Sequence, residues 1–487
     1  MNRNMILESI HPRIKPPLDE SFRPAALFHK AFRQAAGDKG VPLVIGLERE
    51  NGQVFRYETK VFPENNHSIK NEPSQKEANF LHAERIVKFL LWQRGGYKIY
   101  VGGPSSIGEF ISKAYAPDGA RKFDHQFMGE QVYQKKFEVL SCQPDEVPAG
   151  YEQGHLLGRH LDGCRIGFDL GASDRKVSAV INGEVVFSEE VVWEPRKHSD
   201  PEYHHREVMT ALKTAAAKMP RVDAIGGSSA GIFIDNRPMV ASLFRSITLE
   251  RYDEIRELFV RIRREMGVPL EVINDGDVTA LAGSMSIEDN GILGIALGSS
   301  EAAGYVDMKG HIMGWLNELA FAPIDYSPTA PVEEWSGDTG CGASYFSQQC
   351  PFRLAAKAGI QVPEEITDAD KLKVIQEKLE AGHEGATRIW ESMGIYLGYG
   401  LAHYAEFYEI KHVLILGRCT SGRGGDLLLE GARKVLQAEF PDLAARIQIH
   451  LPDEKIRRIG QSVAAASLPA LANKDEQKPD SIAKSRR

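Results

Sequence analysis

The sequence predicts an α/β fold in which two similar lobes face a cleft and an additional α/β region precedes them. The chain has 487 residues, more than one hydrophobic core of about 250–300 residues accommodates. The order hairpin, helix, strand, glycine turn and helix occurs once from Arg165 and again from Gly291. A pattern that recurs within one chain indicates a duplicated structural unit, here an α/β lobe.

The same patterns divide the chain into four segments. A polar stretch that contains Gly and Pro, residues 143–163, indicates the first boundary. The first segment contains a fainter version of the pattern, which leaves two interpretations open, a degenerate lobe or an unrelated α/β extension. The predicted segments are an N-terminal α/β extension (1–160), an N-terminal lobe (161–290), a C-terminal lobe (291–472) and a disordered tail (473–487).

Each predicted lobe begins with a strand and a hairpin. In the first lobe, RIGFDLG has the continuous apolar character of a buried strand, and Asn182-Gly183 predicts a type I′ turn between the next two strands. A helix is expected to begin near Asp200-Pro201, because proline suits the first helical position. In the second lobe, NGILGIALGSSEAAGYV predicts the corresponding hairpin and HVLILG predicts a later strand.

The composition is that of a cytoplasmic enzyme or binding protein. A net charge of -8 does not provide the clustered cations that bind a nucleic-acid backbone. The chain has no run of about 18 apolar residues to span a membrane, and its first residues lack the apolar segment of a signal peptide. Five scattered cysteines predict reduced thiols. A homodimer is the commonest soluble assembly and stays an open expectation.

The first candidate site is a turn after the first strand of the N-terminal lobe. Backbone N–H groups bind a phosphate where small residues let the backbone approach, and a nearby carboxylate holds a metal ion through water. Asp169, followed by Gly171, Ala172 and Ser173, supplies this set. A D-x-G sequence also occurs in many ordinary turns, but two later strand ends that carry glycine favour a shared ligand.

The second candidate site is the end of the strand VIND. Transfer of a phosphoryl group to an alcohol needs a carboxylate that accepts the hydroxyl proton, and Asp275 stands at a strand end where such a base is expected. An Asn-Asp pair directly before a helix is also typical of an ordinary N-cap. The pattern by itself leaves both interpretations open.

The order of the motifs resembles that of the ROK sugar kinases, which belong to the actin and hexokinase superfamily. The resemblance covers about residues 164–470, and seven motifs in the correct order are more specific than any one of them. The motifs are D-L-G-A-S (169–173) for the family's D-x-G-G-T, S-A-G (229–231) for its P-G turn, N-D-G-D-V-T-A-L (274–281) for N-D-A-N-A-A-A-L, L-G-S-S (297–300) for L-G-T-G, N-E-L (317–319) for G-E-x, L-I-L-G (414–417) for the adenosine strand and I-G-Q-S-V-A-A-A (459–466) for the terminal helix of small residues.

This resemblance implies two actin-like ATPase lobes of the ribonuclease H type. It also implies phosphorylation of a hydroxyl on a sugar or sugar-like polyol, with ATP and Mg2+ as cofactors and Asp275 as the general base. The substrate would be bound by Asn274, Glu318 and Ser242. The implied nucleotide-binding residues are Asp169, Gly171, Ala172, Ser173, Gly298, Ser299, Ser300, Gly417 and Arg418, and Asp169 would hold Mg2+ through water.

The chain departs from the family at the family's zinc cluster, C-x-C-G-x-x-G-C-x-E. Residues 335–343 read W-S-G-D-T-G-C-G-A and retain one thiol, Cys341, while Phe321 stands where the family has a histidine ligand. Zinc requires three or four sulfur or nitrogen ligands, so the sequence predicts no zinc. Ala343 replaces a glutamate that binds sugar, which favours a ligand other than plain glucose.

The second phosphate loop also departs, because it contains Glu301 where the family is rich in glycine. A carboxylate close to the phosphates would repel ATP. Three alternatives stay open: Glu301 points away, Glu301 binds the metal, or the site is inactive toward ATP. Arg418 opens a loop that would suit an anion at the start of the next helix, although the loop also fits a plain flexible connection.

Two rival functions are open: the first follows from these departures, and the second from the N-terminal winged helix that relatives of the ROK kinases carry. A non-catalytic protein that senses a sugar or nucleotide would explain Glu301 and the reduced number of glycines. A DNA-binding repressor is disfavoured, because residues 99–102 read as a strand where a recognition helix would be needed.

Overall fold

The computed structural model describes residues 5–64, 73–154, 156–452 and 460–471, so the predicted tail lies outside the described residues. The chain divides into two compact units, each built from two separate stretches: unit 1 comprises Met1–His155 and Ile287–Lys455, and unit 2 comprises Leu156–Ser286 and Ile456–Arg487. Residues of the predicted N-terminal extension and of the predicted C-terminal lobe therefore share one unit. The division into four segments stays a prediction.

The predicted α/β class is confirmed by strands and helices that alternate along both units. The strands are β1 (Val41–Glu48), β2 (Val54–Val61), β3 (Lys98–Gly102), β4 (Glu138–Cys142), β5 (Cys164–Leu170), β6 (Asp174–Ile181), β7 (Glu184–Val192), β8 (Ala224–Ser229), β9 (Ile232–Ile234), β10 (Arg237–Val240), β11 (Leu270–Asn274), β12 (Ile292–Leu297), β13 (Glu301–Val306), β14 (His412–Leu416) and β15 (Gln448–His450). The helices are α1 (Met5–Glu8), α2 (Ala25–Ala36), α3 (Pro73–Arg94), α4 (Ser105–Ala114), α5 (Lys122–Gln126), α6 (Pro201–Ala216), α7 (Tyr252–Arg256), α8 (Leu258–Met266), α9 (Asp275–Ile287), α10 (Gln349–Ala355), α11 (Asp368–Glu380), α12 (Glu384–Tyr404), α13 (Arg423–Glu439), α14 (Pro441–Arg446) and α15 (Gln461–Ala466). In the part of the chain that the structure describes, no helix combines the length and apolar character needed to cross a membrane.

Unit 2 is built on a five-stranded sheet with the strand order β11-β8-β5-β6-β7. The hairpin of β6 and β7 turns on Asn182 and Gly183, whose φ angles of 50° and 84° confirm the predicted I′-type turn. Helix α6 begins at Pro201 as expected, and the side chain of Asp200 caps it by accepting a hydrogen bond from the backbone N–H of Glu202 at 3.3 Å. Strands β5, β8 and β11 run parallel, so their carboxyl ends share one edge of the sheet.

One sheet of unit 1 repeats this order of pairing. Strand β12 pairs with β13 antiparallel and with β14 parallel, and β14 pairs with β15 parallel. Strands β6, β5, β8 and β11 of unit 2 follow the same order, which supports the predicted duplication. The N-terminal sheet, of order β2-β1-β3-β4, differs because β3 pairs with β1 antiparallel. This difference favours an α/β extension that is unrelated to the repeat.

Helix α3 lies in the interior of unit 1 and carries charged side chains there. Apolar residues from Ile86 to Trp92 are buried, and so are Glu84, Arg85 and Lys88 on the same helix. A buried charge is tolerated when it has a partner of opposite charge and hydrogen bonds. The partners lie far away in the chain, and together they form what we call the α3 charge network: Glu84, Arg85, Lys88, Arg121, Asp124 and Asp338.

The geometry of the α3 charge network is tight. Nζ of Lys88 lies 2.6 Å from Oδ1 of Asp124, and Nη1 of Arg85 lies 3.0 Å from Oδ2 of Asp338. Arg121 contributes a second guanidinium, 2.7 Å from Oδ1 of Asp338. The segment around Asp338 is therefore held against α3 by charge-assisted hydrogen bonds.

The last carbonyl groups of α3 hold a second segment. The carbonyl oxygen of Trp92 accepts from the backbone N–H of Glu318 at 3.0 Å, and that of Gln93 accepts from the N–H of Asn317 at 2.9 Å. The final carbonyls of a helix have no partner within the helix, so they are free to bind another segment. Helix α3 thus positions both the Asn317–Glu318 turn and the segment around Asp338.

We predict that Lys88→Met lowers the free energy of unfolding by about 3–5 kcal/mol, because it leaves a buried carboxylate at Asp124 without its cation. Urea denaturation at neutral pH measures the loss. Lys113→Met, on the exposed side of α4, is the matched control and should change stability by no more than about 0.5 kcal/mol. Equal stabilities of the two variants would contradict the assigned importance of the network.

Candidate functional site

The parallel strands of unit 2 bring the predicted acidic residues to one edge of the sheet. Asp169 is in register with Ser228, and Asn274 is in register with Ser229. The hydroxyl of Ser228 donates a hydrogen bond to Oδ1 of Asp169 at 2.7 Å. Asp275 is the first residue of α9, directly after β11. The structure therefore places Asp169, Asn274 and Asp275 at one edge of the sheet, on the two strands that flank β8.

The carboxyl group of Asp275 lies in a setting that favours its neutral form. Burial raises the pKa of Asp275 to about 6, and the like charge of Asp169 contributes to the same shift. The backbone N–H of Gly276 donates to Oδ1 of Asp275 at 3.0 Å and partly offsets the shift. A carboxylate whose pKa lies near neutral pH is a better general base than an ordinary one.

Asn274 carries the capping role that the sequence left open. Its Oδ1 accepts from the backbone N–H of Gly276 at 2.7 Å, as an N-cap side chain does. Its Nδ2 donates to the carbonyl oxygen of Gly231 at 2.8 Å, which joins the end of β11 to the turn after β8. A side-chain amide has two N–H groups and two lone pairs, so one of each remains for a ligand.

The turn at residues 171–173 connects β5 to β6. The N–H of Gly171 donates to the carbonyl oxygen of Asp174 at 2.9 Å, and the indole of Trp193 donates to the carbonyl oxygen of Gly171 at 2.8 Å. Ala172 and Ser173 are exposed at the tip of this turn. Their role in phosphate binding stays a prediction.

In unit 1 the two predicted glycine turns lie side by side. Ala296 of β12 pairs with Leu416 of β14, so the strands end next to each other. Gly417 has a φ of 100°, and a Cβ atom there would lie 2.5 Å from the carbonyl oxygen of Leu297. Glycine is therefore required at this position. Beyond the two strand ends, Ser299, Ser300 and Arg418 are exposed.

The Gly298 turn is fixed by its backbone. The N–H of Gly298 donates to the carbonyl oxygen of Ser300 at 3.1 Å, and the carbonyl oxygen of Gly298 accepts from the N–H of Gln348 at 2.9 Å. These bonds hold the loop in one conformation and leave its tip at the surface. Phosphate binding by Gly298, Ser299, Ser300 and Gly417 stays a prediction.

Glu318 and Ser242 are the two other residues that were predicted to bind the substrate. Glu318 is partly buried, and α3 holds its backbone as described above. Ser242 is exposed, and its hydroxyl accepts from Nη2 of Arg196 at 3.2 Å. This contact gives Ser242 a local partner, so its role in substrate binding stays a prediction.

The segment that resembles the zinc cluster is occupied by charge pairs. Asp338 accepts from both Arg85 and Arg121, and Lys88 lies 3.8 Å from its Oδ2. Burial raises the pKa of the Cys341 thiol well above its usual range, whereas zinc binds the thiolate. The absence of zinc stays a prediction, and the three cations around Asp338 support it.

Glu301 and the α3 charge network are the features that sequence reasoning left unresolved or missed. Glu301 is 3% exposed, so it points away from the exposed loop, as one of the three alternatives proposed. The signal for the network is the charged residues Glu84, Arg85 and Lys88 within the apolar stretch FLHAERIVKFLLW, since charges in an otherwise buried helix need partners. The sequence does not identify those partners.

No protein-family model matches the chain, and no curated protein sequence matches it. Solved structures with a similar fold exist. A ROK family transcriptional regulator, a homologue of the E. coli MLC protein, is 18% identical to the chain with a TM-score of 0.51, over 63% of this chain and 78% of that chain. A ROK family glucokinase from Streptomyces griseus, in complex with glucose and AMPPNP, is 20% identical with a TM-score of 0.47, over 62% of this chain and 98% of that chain.

A ROK hexokinase from Thermus thermophilus is 18% identical, with a TM-score of 0.47 over 62% of this chain and 96% of that chain. Of these three structures, the regulator has the higher TM-score. The likeness to the regulator shows that this chain has the fold of a ROK family protein.

Proposed function

We propose that this protein is a member of the ROK family and an ATP- and Mg2+-dependent kinase for a hydroxyl of a sugar or sugar-like polyol. The observation that carries the proposal is the carboxyl group of Asp275, which stands at a strand end of unit 2 with a pKa raised to about 6. A carboxylate that lies at a strand end and has a pKa raised toward neutral pH is typical of a catalytic base. The seven motifs in family order support the choice of reaction.

Asp275 acts as the general base in this proposal. Its carboxylate accepts the proton of the attacking hydroxyl, while the hydroxyl oxygen forms a bond to the γ-phosphorus of ATP and the bond from that phosphorus to ADP breaks. Proton acceptance by a positioned carboxylate contributes about 10²–10⁴ to such rates. Asn274 holds the start of α9 through Gly276 and thereby fixes the backbone from which Asp275 extends.

The carboxylates of unit 2 fit a magnesium ion. Mg2+ prefers oxygen ligands and keeps several of its water molecules. Asp169 supplies carboxylate oxygens, and its negative charge is one cause of the raised pKa of Asp275. Asp169 would hold the ion through water, and the ion would neutralise the charge of the phosphates.

The proposal assigns the remaining roles by unit. In unit 2, Gly171, Ala172 and Ser173 bind phosphate, and Asn274 and Ser242 bind the substrate. In unit 1, Glu318 binds sugar hydroxyls, and the residues at the ends of β12 and β14 bind the nucleotide, namely Gly298, Ser299, Ser300, Gly417 and Arg418. Phe321 and Ala343 replace two polar residues of the family pattern, which favours a substrate with fewer or different hydroxyl contacts than glucose.

A non-catalytic sensor of sugar or nucleotide is the second candidate, because a regulator is among the similar structures. The charge of Glu301 no longer supports it, since that side chain is buried within unit 1. DNA binding by the N-terminal region is not supported either. Residues 98–102 form β3, a strand of a four-stranded sheet, as the sequence indicated. Calorimetry with ATP, followed by a test for ADP release, separates a sensor from a kinase.

We predict that Asp275→Asn abolishes turnover, or lowers it by at least about 10²–10⁴, because an amide cannot accept the hydroxyl proton. Release of ADP is measured with a panel of hexoses, amino sugars and cyclitols. Asp253→Asn, at an exposed position of α7, is the matched control and should retain full activity. Turnover that survives in Asp275→Asn would rule out Asp275 as the base, and ATP binding without ADP release in the wild type would favour the sensor.

The pH profile gives an independent prediction for Asp275. A general base is active when ionised, so kcat/KM should rise with pH through the pKa of about 6 and then level off. An aspartate with the usual pKa of about 3.9 would give a profile that is already flat there. The panel's best substrate serves for the measurement, and a flat profile through that range would contradict the raised pKa.

A further inference from the structure

Glu301 is a buried carboxyl group at the start of β13, immediately after the exposed residues Ser299 and Ser300. Its neighbours in sequence form the loop that the proposed function assigns to the nucleotide. Its side chain turns away from that loop and is 3% exposed. An acidic side chain is rarely buried without a specific partner.

Two other segments of unit 1 contact the Glu301 carboxyl. The hydroxyl of Tyr404, at the end of α12, donates to Oε1 of Glu301 at 3.0 Å. Oε2 faces Gly342, where a Cβ atom would overlap it and would lie 2.6 Å from the carbonyl oxygen of Leu319. Among the described residues, Oε2 has no hydrogen-bond partner. The carboxyl thus fills the space between β13, Gly342 and the turn that carries Glu318.

The charges that face Glu301 favour its neutral form. Burial raises the pKa of Glu301 to about 8, the hydrogen bond from Tyr404 opposes the shift, and the negative charge of Glu318 adds to it. Cys341, next to Gly342, is a buried neutral thiol. Lys88, a cation that acts on Cys341, is already paired with Asp124 and Asp338. At neutral pH the carboxyl is therefore mostly protonated, which removes the charge expected to repel ATP.

We propose that Glu301 is a positioning residue of the kinase, which in its neutral form joins the nucleotide loop of β13 to the Glu318 turn and loosens both when it ionises. The proposal rests on the proposed function, because it takes the nucleotide loop and the Glu318 turn as binding elements. Ionisation releases the proton to solvent and leaves a negative charge between β13 and Glu318. Repulsion from Glu318 and the demand of the new charge for water would move the two segments apart.

The test compares the wild type with Glu301→Gln, which has nearly the same shape and cannot ionise. Isothermal calorimetry with AMPPNP and Mg2+ gives the Kd from about pH 6 to about pH 9.5. Above the pKa of about 8, the Kd of the wild type should rise by up to about tenfold per pH unit relative to that of Glu301→Gln. Glu365→Gln, at an exposed position, should follow the wild type.

A second measurement tests whether the carboxyl group of Glu301 is neutral in the folded protein. A carboxyl whose pKa is higher in the folded than in the unfolded state makes the protein less stable as pH rises between those two values. The free energy of unfolding of the wild type should therefore fall, relative to that of Glu301→Gln, as the pH rises from about 4.5 to about 8. This comparison needs no ligand, so it tests the protonation state of Glu301 independently of the kinase reaction.

The outcomes distinguish the two proposals. A difference in the pH dependence of Kd between the wild type and Glu301→Gln, together with the stability difference, supports the role of Glu301. AMPPNP binding with the same pH dependence in both proteins overturns that role and leaves the kinase standing. Absence of AMPPNP binding at every pH overturns the proposed function and the role of Glu301 with it.

Discussion

Parallel strands end at the same edge of a sheet, and in unit 2 this constraint places Asp169 and Asn274 at one edge, on the two strands that flank β8. The capping of α9 by Asn274 then sets Asp275 at the same edge. Residues more than 100 positions apart in the chain are brought together by the register of three strands. The raised pKa of Asp275 is a direct consequence, because burial and the charge of Asp169 act together there.

A comparable constraint operates in unit 1 through α3. This buried helix holds the Asn317–Glu318 turn through backbone carbonyls and the segment around Asp338 through buried ion pairs. Both segments correspond to parts that contact sugar or zinc in the family that the sequence resembles. The N-terminal region thus acquires a structural role, since it holds the turn with Glu318, to which substrate binding is assigned, and the segment around Asp338. Paired charges occupy the segment that resembles the family's zinc cluster.

The carboxyl group of Glu301 has one interpretation in the sequence and another in the folded unit. In sequence it lies within a phosphate loop, where its charge argues against ATP. In the folded unit its carboxyl lies between Tyr404 and Gly342, is largely neutral at pH 7 and faces away from the loop. Burial decides the protonation state of a carboxyl, and burial depends on segments 41 and 103 residues further along the chain.

The sequence alone determined the α/β class, the I′ turn at Asn182-Gly183, the helix start at Pro201, the strand that contains Asp169 and the strands that end at Asn274 and Leu297. These features depend on local backbone preferences and on the apolar pattern of neighbouring residues, which a single sequence displays. Only the tertiary structure decided the partners of Lys88, the neutral state of Glu301 and the antiparallel pairing of β3 with β1. Each of these depends on which distant segments meet, and charge pairing and desolvation act only after they have met.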